Sequence, residues 1–213
     1  MTIGQGITLS LVGLAMTLAP QPCQDFCCLN LQSKANQKLD EPFHGASDQG
    51  NHLCQLPAGK QELDGVTFEI GKSLIQLGST QIKDKPDAVV GIPVDRAFER
   101  LHILHASGCS FSEENTVIAM YVIHYSDNTR EGFEIVHGQD VYDWWYGDED
   151  KEPVRSRVAW KGSNDSAKSR GKDIRLYHST WKNPHPNKKV VSIDFLAAEG
   201  AISAPFCVAI TLE

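Results

Sequence analysis

From Gln61 onward, apolar and polar positions alternate in short bursts separated by turn residues. In Val66-Thr-Phe-Glu-Ile70, Val66, Phe68 and Ile70 share one face and Thr67 and Glu69 the other. Period two with β-branched and aromatic residues predicts a half-buried strand. Residues 73–77 predict a second strand after Gly71-Lys72, so the two are expected to form a hairpin. Further strands are expected at 100–106, 117–125, 131–136, 157–160, 174–177, 190–196 and 206–212. Residues 117–125 are apolar on both faces for most of their length, as in the centre of a sheet. The turn Ser126-Asp-Asn-Thr129 brings the next strand back. In 190–196 the pattern places Val191, Ile193 and Phe195 inward and Ser192 and Asp194 outward. A single turn of helix is expected near Asp95 to Arg100, and no amphipathic segment is long enough for a core helix. Consecutive strands without helical crossovers pair antiparallel. The expected fold is therefore all-β, an antiparallel β-sandwich, and the long loops favour a jelly roll.

Composition narrows this picture. At 213 residues, with 41% apolar and 22% charged side chains, the chain can bury one sizeable core. Twenty Lys and Arg against 27 Asp and Glu leave a formal charge of −7, which argues against nucleic acid as a partner. Asp25 is the first charged side chain. Residues 7–19 form an apolar run of signal-peptide length that contains a small-x-small site, Gly13-Leu14-Ala15, although no Lys or Arg precedes it. Residues 1–25 are accordingly expected to be a signal-like leader or tether, and 26–213 one extracytoplasmic domain, secreted, periplasmic or membrane-tethered. Cysteines stand at 23, 27, 28, 54, 109 and 207, without the paired spacing of a zinc site. Six thiols allow fifteen pairings and the sequence chooses none of them. Cys207, inside an apolar run, is expected to be a buried thiol.

Several catalytic patterns are absent from the sequence: no nucleophile elbow, no HExxH helix and no phosphate-binding loop. His102 and His105 are three apart, so on a strand they point to opposite faces and cannot ligate together. Hydrolysis of a glycoside needs only two carboxylates, and the spacing of the 27 promotes no pair. The acidic run at 148–152 reads as a solvated loop. Residues 140–160 carry the most information. Three of the four tryptophans, Trp144, Trp145 and Trp160, fall there with Tyr142, Tyr146, Asp140, Asp143 and Asp148. Sugars offer flat C–H faces and a rim of hydroxyls, so a protein that grips them presents aromatic platforms beside planar hydrogen-bonding groups. Asp140, Asp143, Trp144, Trp145 and Tyr146 are the candidate ligand-binding residues. Adjacent tryptophans on an extended backbone face opposite ways, so one of Trp144 and Trp145 is expected in the core and the other accessible. Trp160 is expected to plug the space between sheets. Trp181, ahead of Asn183-Pro-His-Pro186, is expected to anchor a rigid connector.

A series of segments recurs in a familiar order: Leu56-Pro-Ala-Gly-Lys-Gln, Gly65-Val-Thr-Phe, Gly91-Ile-Pro-Val, Leu101-His-Ile-Leu-His-Ala, Tyr121 to Asp127, Asp140 to Trp145, Val158-Ala-Trp and Trp181-Lys-Asn-Pro-His-Pro. Together they resemble the galactose-binding-like jelly-roll modules appended to bacterial cell-surface proteins, large planctomycete proteins and some glycoside hydrolases. The resemblance spans about residues 26–213. It implies a sandwich without catalysis of its own that binds a glycan or cell-surface polysaccharide, with no cofactor beyond a structural calcium ion in some members. A calcium site would draw oxygen ligands from loops, and residues 36–51 are the segment to inspect. The cysteines at 27, 28 and 54 depart from the pattern. Two alternatives stand beside this reading: a protein-interaction or scaffold sandwich with no sugar site, and a glycoside hydrolase or lyase using two carboxylates.

Overall fold

The computed structural model describes Met1 and residues 25–45, 48–110 and 112–213. The apolar run at 7–19 lies outside the described residues. In chain order the elements are β1 (Cys27–Cys28), β2 (Gln37–Lys38), β3 (Gly59–Leu63), β4 (Val66–Ile70), β5 (Ser73–Gln76), β6 (Ala88–Arg96), β7 (Arg100–Gly108) and β8 (Val117–Tyr125). There follow β9 (Arg130–Val136), β10 (Trp145–Tyr146), β11 (Arg157–Gly162), α1 (Asp165–Lys168), β12 (Asp173–Lys182), β13 (Val190–Ala197) and β14 (Ala204–Leu212).

The strands form an all-β sandwich with antiparallel pairing throughout. The larger sheet runs β10-β12-β7-β14-β5-β2, with β1 beside β14 and β11 beside β12. The smaller runs β6-β13-β8-β9, and β3 and β4 form a separate hairpin. Register sorts the larger sheet into two faces. His105, Ser179 and Trp181 look toward the smaller sheet, where Trp181 meets Phe133. His102, Leu104 and His178 look the other way, under the hairpin, whose Phe68 packs edge-on against His178 at 5.5 Å. The hairpin is also tied down by Thr211, whose hydroxyl donates to the Thr67 carbonyl at 2.8 Å. The sandwich thus has a third, partial layer.

The residues 66–70 strand is borne out, but its partner is not 73–77. β4 pairs with β3 through the turn Asp64-Gly65, both at left-handed φ (49° and 76°). Two such residues make the turn whose twist matches paired strands, and Asp-Gly suits it. β5 instead enters the larger sheet between β14 and β2, because Leu74 and Ile75 are both fully buried and need cover on both faces. Val191 is also misassigned by alternation alone. Val190 pairs with Tyr125 and Ser192 with His124, so a bulge at Val191 shifts the pattern by one. Val190 is buried and Val191 is 47% exposed. No helix forms at 95–100: Asp95, at φ 57°, and Arg96 are the last residues of β6, and β7 begins at Arg100. Among the described residues the one helix is α1, capped by Asn164, whose side chain accepts from the Ala167 N–H at 2.8 Å. Cys207 is fully buried, and burial pushes its thiol up to about 12. The described cysteines, 27, 28, 54, 109 and 207, are all free thiols.

Candidate functional site

β10 joins the end of β12 through Trp145↔Ile174 and Tyr146↔Asp173, and this pairing decides where the aromatic segment points. Trp144 falls inward and is 1% exposed, with ring centroids 5.2 Å from Phe43 and 5.6 Å from Phe206. Trp145 is half-buried on the hairpin side. Its indole N–H donates to Asn51 Oδ1 at 3.0 Å, and the Arg170 guanidinium lies 5.0 Å from its centroid. Tyr146, on the opposite face, already carries Lys161 and Arg175 at 5.2 and 5.0 Å from its ring. Asp143 accepts the backbone N–H groups of Ser110 and Trp145 at 2.9 and 2.8 Å. Burial raises its pKa while those two donors oppose the rise. Asp140 accepts the Val136 N–H at 2.8 Å and the fork of Arg155 Nε and Nη2.

The five candidates therefore do not meet on one surface. Trp144 is core, Asp143 braces the loop through backbone donors, and Trp145 and Tyr146 lie on opposite faces with their own cations against the rings. Trp160 corrects another expectation. It is half-buried and sits opposite Leu176, on the face turned away from the smaller sheet, so it does not plug the space between sheets. Its ring lies over Gly162, where a Cβ would come within 2.3 Å of the indole. Trp160→Ala is accordingly expected to cost about 1–2 kcal/mol, below a fully buried tryptophan. Urea unfolding measures this, and a loss above 4 kcal/mol would contradict the placement.

The most sugar-like surface lies elsewhere. Phe195, Tyr121 and Phe133 are cross-strand neighbours on β13, β8 and β9. Their rings stack in sequence at 4.5 and 5.3 Å, with interplanar angles of 10° and 16°. Trp181, reaching across from β12, adds a fourth ring at 5.0 Å and 14°. The first two rings are buried, while Phe133 and Trp181 at the sheet edge are half-buried. Beside them opens a groove of about 170 Å³ lined by Phe133, Ile135, Trp181, Asp140, Arg155 and Ser179. The Arg155 side chain is 51% exposed even while it grips Asp140. A guanidinium has five N–H donors and the fork to Asp140 uses two, so donors remain for a ligand. Of the candidates read from sequence, only Asp140 lines this groove. Phe133, Arg155 and Trp181 were not among them. Trp181 was visible as a scarce residue at a strand end, but its neighbour Phe133 is 48 positions away and meets it only across the two sheets.

A larger groove, about 550 Å³, runs between β1, β14 and the base of β4. Its floor is Leu29, Leu31, Ile70 and Val208 with Glu69 and Lys72 at the rim, and no aromatic ring lines it. Among the described residues no group of three or more His, Cys, Asp or Glu is placed to hold a metal ion. In the segment 36–51, Asn36 exchanges hydrogen bonds with the Gln76 backbone, and Asn51 holds the Phe43 carbonyl and the Trp145 indole. No protein family, curated protein or solved structure matches the chain.

Proposed function

We propose that the chain is a non-catalytic, extracytoplasmic glycan-binding module that seats a sugar ring in the groove between Trp181 and the Asp140–Arg155 pair. The observation that carries this reading is the half-buried Trp181, held flat by a three-ring stack behind it, next to a paired guanidinium and carboxylate. A pre-positioned indole offers its face to sugar C–H groups without paying to order itself. The guanidinium donates and the carboxylate accepts, which suits vicinal hydroxyls. The ordered resemblance to galactose-binding-like modules supports the same reading, with a cell-surface polysaccharide as partner and no cofactor beyond a structural calcium ion.

A glycan array on the full chain tests it. Trp181→Ala is expected to weaken retention about tenfold or more, the loss of roughly 1–2 kcal/mol of stacking. Trp145→Ala is expected to change it less than twofold, because Arg170 already lies against that ring. Equal retention by wild type and Trp181→Ala would reject the groove. The same array with a chelator reads any calcium requirement. The covering of Trp145 and Tyr146 by their own chain's cations favours the rival reading, a protein-interaction sandwich with no sugar site. An array on which the wild-type chain retains no glycan would decide for that rival.

A further inference from the structure

The hairpin-facing side of the larger sheet holds a row of titratable groups that glycan binding does not use. His102 on β7 and His178 on β12 stand on neighbouring strands, with His102 Nδ1 3.0 Å from His178 Nε2. The outer nitrogens meet carboxylates: His102 Nε2 lies 3.1 Å from Glu213 Oε2, and His178 Nδ1 lies 2.9 Å from Asp64 Oδ2 in the β3–β4 turn. Thr180 Oγ1 sits 3.0 and 3.1 Å from the two inner nitrogens. Both histidines are buried, 5% and 7% exposed, with Phe26 edge-on to His102 and Phe68 edge-on to His178.

Counting hydrogens decides what this row can hold. Three links, carboxylate to ring, ring to ring and ring to carboxylate, need three N–H protons. Two neutral imidazoles bring only two, so one link would set lone pair against lone pair. Two imidazolium rings bring four and force N–H against N–H across 3.0 Å. One added proton satisfies every link, and the Thr180 hydroxyl oxygen stands close enough to accept from the inner N–H as well. Charge agrees. Arg100 binds the other Glu213 side-chain oxygen at 2.6 Å, so the side-chain charges of a singly protonated pair, Asp64, Glu213 and Arg100 sum to zero. Lys182 stands at the solvent end of this face, opposite Arg100, and is exposed. His105 is on the other face of β7, bonded to Ser179 at 2.8 Å. We propose that His102 and His178 share one proton as a buried imidazole–imidazolium pair, and that this pair fastens the β3–β4 turn to the sheet as a pH-sensitive clasp.

The direction of the response follows from the count. Burial, reinforced by the neighbouring His178, lowers the proton affinity of His102 against the pull of Glu213. The second proton is thus refused by the folded state and taken by the unfolded hairpin, so the clasp weakens as pH falls below the ordinary histidine range. At high pH the shared proton leaves, and one of the three links is lost. Hairpin protection should therefore peak between the two limits.

Histidine-labelled full-length chain, followed by ring-nitrogen NMR and by amide exchange, tests the clasp. Expected are a single strongly deshielded N–H proton coupled to both His102 Nδ1 and His178 Nε2, and protection factors at residues 63–68 that fall on either side of their maximum. Asp64→Asn should lower hairpin protection roughly tenfold, the size of one charge-assisted hydrogen bond, and leave β8 and β9 unchanged. His178→Gln keeps a donor and an acceptor but takes no proton, so it should flatten the pH dependence of the hairpin. Two rings titrating independently at the ordinary histidine value, or wild-type hairpin protection that does not vary with pH, would overturn the proposal. If His178→Gln does not fold, the Asp64→Asn chain suffices, because a pH dependence identical to wild type would equally overturn it.

Discussion

Trp144→Ala is expected to lower the unfolding free energy by about 3–5 kcal/mol, a large part of the 5–15 kcal/mol that a domain of this kind has to spare. The ring is 1% exposed and closes the end of the core between Phe43, His44 and Phe206, at centroid distances of 5.2, 6.0 and 5.6 Å. Truncation leaves a void that these neighbours cannot fill by rotation, because the backbone there is fixed. The Trp144 N–H donates to Ser107, and its carbonyl accepts from Arg175. His44 has no room to shift either, since its Nε2 lies where a Cβ on Gly108 would sit, only 1.9 Å away. The loss should appear as a lower denaturant midpoint at unchanged slope. A midpoint within 1 kcal/mol of wild type would mean that the ring is not packed as described. Trp145→Ala should fall well short of this, although the two residues are adjacent.

Acid should unfold the protein well before its carboxylates are exhausted. His105 is buried and His44 is half-buried with its ring packed against Trp144 and Phe206, and removal from water pushes their pKa values down to about 3 and about 4. In the unfolded chain both return to about 6.5. A basic group whose folded pKa is depressed binds more protons when unfolded, so its contribution is complete above about pH 6.5 and is lost as pH falls toward the folded value. By pH 4 each histidine should have removed on the order of 3 kcal/mol. His102, lowered by burial in the same direction, adds to the decline. Urea unfolding at pH 7, 5.5 and 4 should show a steep, monotonic fall. His105→Gln, which can keep the hydrogen bond to Ser179 without taking a proton, should remove about half of the slope. A wild-type chain as stable at pH 4 as at pH 7 would show that water reaches these rings.

Part of this was legible from local pattern. Alternation in Val66–Ile70 and the apolar character of Val117–Tyr125 were enough to place both strands: β4 buries one face and β8 lies between β13 and β9, although Met120, Val122 and His124 on its second face are only half-buried. The separation of His102 from His105 follows from strand geometry alone, whereas Trp144 sits at a bend before β10, and its burial is set by packing against Phe43 and Phe206. Local pattern failed wherever a partner strand set the outcome. Val191 reads as inward until the register with β8 introduces a bulge. The segment 73–77 reads as a hairpin partner for β4 until β14 and β2 are seen to claim it. Trp160 reads as core in its own strand, yet its face is turned away from the smaller sheet.

The candidate site shows the same division more sharply. Tryptophan and aspartate density drew attention to residues 140–160, and Asp140 does border the groove. The groove itself needs Phe133, Arg155 and Trp181, and the buried proton pair needs Asp64, His102, His178 and Glu213. Each set is scattered along the chain and gathered by strand pairing together with the packing of sheets and loops on one another. Side-chain alternation depends on a residue's immediate neighbours, so the chain alone determined an all-β sandwich and most of its inward positions. Which faces meet, where an extra residue bulges a strand, and which distant rings stack depend on strand order and register. Those are set by burial summed over the whole molecule, and only the folded chain decides them.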